Sequence, residues 1–431
     1  MIGGSGMSAQ PSSFARVSEA KNGPSQCGFM AVNFEQRSRL YLGSTAGPIR
    51  TESDASPRPA MPALSFLPGL SLLALAGRVP PIRPLKTLLR TAGHRLRPPC
   101  PKPFTPSVHE AEQALLASGQ ADPTQRSLIL SEERRGLTPT IVLGGFVPDA
   151  TEQVYLLRGF LLRQGSVFCI HYARTGFSFE LLCAQLDDLV TELATKRGTP
   201  PVIFAVSFGA GFVLEWLKRN RRAGRTTALG GLVLISPVAC IEDVLAPGGG
   251  KSATLLGRAV QPYLTGNERI TPAAVEKSRV IFTRMFEAGA QNRSAVAGLL
   301  SREELGRLRS AVLGTIRGIT DNGARERMQA LRSFEAPSAY FSPEFLPLSE
   351  APALVLFAEN EDAVITPHSP TRFALENGHR AYFPRSTSQI VRNRRGTPVQ
   401  HASLVFHCFN FLPLISRFYR RLKSGKLAGG P

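Results

Sequence analysis

The chain has 431 residues, 43% of them hydrophobic, enough for one large α/β domain with insertions or for several smaller domains. Lysines and arginines number 51 against 32 acids, a formal net charge of +19, yet they are spread along the chain. There is no aromatic-interleaved basic stripe, helix-turn-helix or zinc-finger pattern, so nucleic acid is not the expected partner. The six cysteines, at 27, 100, 169, 183, 240 and 408, form no C-x-x-C pair and no His/Cys cluster. That argues against a zinc site or a disulfide framework, and for reduced thiols in a cytoplasmic chain.

Residues 1–60 are rich in Gly, Ser and Pro without a sustained period and read as disordered. The apolar run MPALSFLPGLSLLALAG (61–77) is broken by Pro68 and Gly69 and is too short for a membrane span. It ends in Ala74-Leu75-Ala76, the small-x-small form of a leader cleavage site, but its internal position and the single arginine just before it, Arg58, count against that. An arm packing on the protein or on a membrane surface is the preferred reading.

From about residue 127, short apolar runs alternate with amphipathic stretches, the pattern of a mostly parallel sheet covered by helices. Expected strands are SLIL (127–130), TIVLGG (140–145), VFCIHY (167–172), VIFAV (202–206), LGGLVLIS (229–236), ALVLFA (353–358) and RAYFP (380–384). Leu182, Leu186, Leu189 and Leu193 recur at helical spacing and turn Asp187 and Asp188 toward solvent. The long interval 237–352 holds helices of its own. Thr271-Pro272 supplies a cap and an N1 proline, and Leu305, Leu308, Val312, Ile316 and Ile319 mark a second apolar stripe. The expected organisation is an extension (1–126), a first part of a core (127–236), a helical lid insertion (237–350), a second part of the core (351–422) and a basic tail (423–431).

The strand VIFAV runs into AVSFG (205–209), small-x-Ser-x-Gly, and a helix follows at once. A serine in a strained strand-to-helix turn has its hydroxyl exposed above the sheet, and the flanking residues must be small where strand and helix crowd together. The amide of Phe208 then faces the same spot from a helix N-terminus and can stabilise an oxyanion.

Over about residues 127–422 the chain resembles the α/β-hydrolase superfamily, with Ala205 where the motif usually has its first glycine. The resemblance implies an α/β-hydrolase fold, a sheet of about eight strands with helices on both faces and a helical lid insertion. It also implies a triad in the chain order serine, acid, histidine, with Ser207 as nucleophile. VLGGFVPDA (142–150) resembles the family's oxyanion loop, with Gly144 in place of its histidine and the Phe146 amide as second donor beside Phe208. After ALVLFA, ENEDAVITP (359–367) offers Glu359, Glu361 and Asp362. The family's acid precedes a small residue and an aliphatic pair, which selects Asp362 ahead of Ala363-Val364-Ile365. TPVQHASLVFHCF (397–409) supplies His401 as the general base; His368, His379 and His407 are poorer placed, and the loop before His401 is longer than usual in the family.

Two motifs mislead. GGGKS (248–252) lacks the first glycine of a phosphate loop, which would fall at Leu245, and Asn292-Arg293-Ser294 has the form of a glycosylation site, which means nothing in a cytoplasmic chain.

The expected function is therefore a serine hydrolase cleaving an ester or thioester, with no metal and no cofactor. The substrate is a small acyl ester or a lipid, and the basic surface is compatible with peripheral contact with an anionic membrane. An acyltransferase with the same triad, or a hydrolase-fold binding protein without turnover, are the alternatives.

Overall fold

The computed structural model describes residues 101–134, 138–245, 252–264, 270–289, 300–340, 344–394 and 396–424. The arm at 61–77, nearly all of GGGKS, the Asn292 tripeptide and most of the basic tail lie outside the described residues.

Eight strands make one sheet: β1 (Lys102–Pro103), β2 (Leu128–Glu132), β3 (Thr140–Leu143), β4 (Val167–His171), β5 (Val202–Val206), β6 (Gly231–Ile235), β7 (Ala353–Ala358) and β8 (Ser386–Val391). Their spatial order is β1-β2-β4-β3-β5-β6-β7-β8. The β1–β2 and β2–β4 pairings are antiparallel, and all the others are parallel. Strands β3, β5, β6 and β7 are buried at every residue, which is why they read as unbroken apolar runs rather than alternating ones. The register aligns Leu143, Ala205, Leu234 and Val355 across the centre of the sheet. The segments that leave these strands therefore emerge side by side on one edge.

Helices α1 (Glu110–Ala117), α2 (Ala150–Gln153), α3 (Arg158–Gln164), α4 (Phe179–Thr191) and α5 (Phe208–Arg222) belong to the first half of the fold. Among the described residues four more occupy the interval between β6 and β7: α6 (Leu255–Val260), α7 (Pro272–Gly289), α8 (Arg302–Gly318) and α9 (Asp321–Ser333). Helices α10 (Pro370–Tyr382) and α11 (Cys408–Lys423) complete the chain. Sequence cues set several starts. Pro272 opens α7; the Ser301 side chain accepts from the Glu304 amide and the Glu304 carboxylate from the Ser301 amide; Thr320 caps α9. On α8, Leu308, Val312 and Ile316 are buried, as their spacing requires.

Three expectations change. RAYFP is not a strand: Ser369 caps a helix with Pro370 at its first position, and Arg380, Ala381 and Tyr382 are its last turn. The final strand is instead SerThrSerGlnIleVal, a polar edge strand whose outward residues hide its pattern. The core also begins before residue 127, because β1 and α1 pack on it. Asp188 is consequently no solvated acid. It is buried and accepts from the amides of Ala111 and Glu112 at the positive end of α1, while Asp187 accepts from Trp216 Nε1. Cys169, Cys183, Cys240 and Cys408 are free thiols, and burial pushes Cys169 and Cys408 up to about 12.

Helix α5 packs so closely on the chain after β6 that a Cβ on Gly211 would stand 1.9 Å from the Val238 carbonyl oxygen. Alanine normally stabilises a helix interior by about 1 kcal/mol over glycine. Here Gly211→Ala is expected to lower stability by about 2 kcal/mol or more, read from urea midpoints, because backbone rather than a side chain must yield.

Candidate active site

Ser207 lies between the last residue of β5 and the first of α5, at φ 53° and ψ −119°. A non-glycine residue adopts this geometry only when its surroundings enforce it. The Ser207 amide donates to Ile235 O at 2.8 Å, and its carbonyl accepts from Ala210, Gly211 and Val238. A Cβ on Gly209 would meet Gly144 O at 2.3 Å, so the motif's glycine is required by close approach of the chain leaving β3. Ala205 is fully buried in β5, where a methyl is accommodated.

His401 Nε2 stands 2.8 Å from Ser207 Oγ, and its Nδ1 meets the Glu361 carboxylate. An ionised carboxylate only accepts, so the ring carries its proton on Nδ1 and leaves Nε2 to accept from the serine. Glu361 is 1% exposed; its other oxygen accepts from Ser236 Oγ at 2.7 Å and from the Ala358 amide at 2.6 Å. These two donors leave one oxygen to the imidazole.

The carboxylate against His401 is thus Glu361, and the expected Asp362 is not brought to it. Asp362 is exposed, and its amide closes a turn onto Asn360 Oδ1. Across that turn residue 361 is buried and residue 362 is exposed. Glu359 acts elsewhere, since its carboxylate accepts from the amides of Asn393 and Val399 and ties down the long loop that delivers His401. Of the other histidines, His379 bonds Ser386, His407 bonds Ser403, and His368 is exposed. Ser236, fully buried at φ 45° at the end of β6, is invisible to sequence reasoning as a site residue; its only signal is a polar residue ending an apolar strand, as at Ser207.

The loop after β3 carries Gly144, Gly145 and Phe146 alongside the serine. Gln153 Oε1 accepts from the Gly145 amide at 2.8 Å, and Tyr172 donates its hydroxyl to Gly144 O at 2.9 Å. The Phe146 ring is stacked on Phe282 of α7 (5.4 Å, 8°) and meets Phe208 edge-on at 5.5 Å. A cavity of about 150 Å³ opens over Ser207 and His401, walled by Phe146, Phe282, Met285, Val312, Ile316 and Phe406. Among the described residues no group of His, Cys, Asp or Glu could hold a metal ion, and no helix is long and apolar enough to cross a membrane.

Strand order, an antiparallel β2 and a positive-φ serine turning from β5 into a helix are the defining features of the α/β-hydrolase superfamily, and the chain has that fold. No family model matches it. Human ankyrin repeat domain-containing protein 63 is 31% identical over 182 residues, 37% of this chain and 47% of that protein, so the chain spans about half the length of that relative. Among solved structures, a thermophilic esterase from Thermogutta terrifontis is similar at a TM-score of 0.45 and 14% identity, covering 75% of this chain and 99% of its own. A membrane phospholipase A described as a bacterial virulence factor is similar at 0.47 and 13%, covering 82% and 97%. The esterase RhEst1 from Rhodococcus sp. ECU1013 is similar at 0.44 and 16%, covering 69% and 96%.

Behind the loop after β3 lies a second titratable cluster. Glu152 accepts from the Asp149 amide and from Thr315 of α8; Asp149 pairs with Arg174, and its carboxylate lies 3.6 Å from His171, an imidazole that burial holds below its ordinary value. Burial, reinforced by the Asp149 charge, pushes the Glu152 carboxyl up from 4.5 to about 7. Between those values the folded chain keeps a proton that the unfolded chain has lost, so this group's contribution to stability falls as pH rises through the window and stays lowered above it. Glu152→Gln is expected to match the native chain near pH 5 and to exceed it by about 1–2 kcal/mol near pH 8, measured as unfolding midpoints at both pH values.

Proposed function

We propose that the chain is a serine hydrolase that cleaves an ester or thioester through an acyl-enzyme. One observation carries the reading: an unbroken hydrogen-bonded series from Ser207 Oγ through His401 to the buried Glu361, opening onto an apolar cavity. Ser207 Oγ attacks the acyl carbon as its proton passes to His401 Nε2. Glu361, in the role expected of Asp362, keeps the imidazole in the useful tautomer and stabilises the imidazolium. The carbonyl oxygen becomes an oxyanion facing the amides of Phe208 and Phe146. Collapse expels the alcohol or thiol with the proton from His401; water deprotonated by the same ring then releases the acid and restores the serine.

Fluorophosphonate labelling separates the residues. The native chain should label, and Ser207→Ala and His401→Ala should not. Glu361→Gln is expected to lower kcat/KM by about 10³–10⁴, whereas Asp362→Asn, at an exposed site, should stay within about twofold. A well-folded native chain that takes no label would sink the reading.

The cavity supports a short acyl group. The space beside Ser207 and His401, about 150 Å³, is comparable with an apolar cavity that takes benzene, about six carbons. Phe282, Val312 and Ile316 wall it, so an acyl chain longer than that must leave along the open side, where it gains no further apolar contact with them, or displace them. Across p-nitrophenyl esters, kcat/KM is expected to peak at about four to six acyl carbons and to fall at least about tenfold by twelve. A peak at twelve or beyond would refute the size argument while leaving the triad intact.

A further inference from the structure

Arg327, on α9, is 1% exposed and lies behind the oxyanion loop. One guanidinium nitrogen donates to Phe146 O at 2.9 Å; another donates to Ala173 O at 2.9 Å and reaches Tyr172 O at 3.4 Å. The rings of Phe146 and Tyr172 flank its central carbon at 5.6 and 5.4 Å. No carboxylate lies within ion-pair distance of it among the described residues, and its buried Nε has no partner. Burial pulls the group down to about 10, which still leaves it charged at neutral pH.

Asp149 acts on it only from beyond ion-pair distance. Burying a cation with no paired carboxylate is costly, and a purely structural tie to three carbonyls does not call for a full charge. What distinguishes this place is its neighbour. The residue whose carbonyl Arg327 holds is Phe146, the one whose amide the proposed mechanism assigns to the oxyanion. Arg327 is not part of the cavity wall, whereas Phe146 is, so any effect on the reaction passes through Phe146.

We propose that Arg327 is a positioning residue for catalysis: its guanidinium fixes the Phe146 main chain so that the amide meets the oxyanion, and its charge, paired with no carboxylate, favours the negative charge that develops there. The inference rests on the hydrolase reading. It makes α9 part of the catalytic apparatus, because the Phe146 main chain is held from that helix and the Phe146 ring from α7.

The test compares Arg327→Met and Arg327→Lys with the native chain on a short p-nitrophenyl ester, with kcat expressed per site titrated to completion by a fluorophosphonate. That normalisation reads only the folded, competent fraction, so a loss of yield does not hide the answer. Arg327→Met is expected to lower kcat about 10²-fold with KM within about threefold, the signature of a lost transition-state contact. Arg327→Lys keeps the charge but not the planar fork, and should recover part of the loss, about tenfold. Rates of fluorophosphonate labelling should fall in the same order, since the phosphoryl oxygen uses the same amides. Native kcat per site in Arg327→Met, with only a lowered melting temperature, would overturn the proposal and leave Arg327 a structural tie. No hydrolysis and no label in the native chain would instead fail the hydrolase reading itself.

Discussion

The site depends on one constraint, the conformation of Ser207. A residue at φ 53° and ψ −119° stores about 1–3 kcal/mol of backbone strain, and the surrounding fold must hold it. It does so with hydrogen bonds from both sides: β6 accepts the serine's amide proton, and three amides converge on its carbonyl. Two helix glycines allow the approach, Gly209 against the oxyanion loop and Gly211 against the chain after β6. Relaxing the serine into an ordinary helix start would break the contact with Ile235 O and withdraw Oγ from His401.

The acid–base arm solves a second positioning problem with parts from three strand ends. Ser236 leaves β6 at positive φ and bonds Glu361; Ala358 ends β7 and bonds the same oxygen; His401 arrives on the loop after β8, followed by Ala402 at φ 48°. These groups meet because the parallel register brings the strand ends to one edge. Glu359, bridging Asn393 and Val399, converts a long loop into a fixed one. The departure of this loop in length is therefore compensated by a carboxylate and does not loosen the histidine, whose two ring nitrogens are both engaged.

How much of this is legible in the sequence follows from where the information lies. The central strands are readable because burial on both faces forces continuous apolar runs, and VIFAV and ALVLFA coincide with β5 and β7 to the residue. Ser207 and His401 are readable because each sits where a strong local pattern changes. Edge strand β8 escapes the pattern since one side faces solvent, and the preceding helix ends in residues that also suit a strand. The carboxylate that meets His401 lies one residue from the expected Asp362. Asp362 fits the family's local spacing, but the choice is made by an Asn360 turn that no periodicity records. Ser236 and Arg327 are out of reach for a different reason: each acts on a group distant in the chain, Arg327 on the Phe146 carbonyl and Ser236 on the Glu361 carboxylate, while Gln153 bonds the nearby Gly145 amide in a loop without a periodic pattern.

A division of labour results. Ser207, His401 and Glu361 are fixed by the sheet and the segments leaving its strands. The loop after β3 is held from two directions, by Gln153 and Tyr172 of the core and by Phe282, Thr315 and Arg327 of the helices inserted between β6 and β7. The same helices wall the cavity. Displacing them would leave the triad's hydrogen bonds intact while removing both the apolar wall and the restraints on the Phe146 backbone. On the proposed function, substrate accommodation and transition-state stabilisation would be mechanically linked: a group too large to seat without moving α7 would also loosen the loop assigned to stabilise its reaction. Selectivity of this kind falls on kcat as much as on KM, because the penalty is exacted at the oxyanion rather than at binding alone.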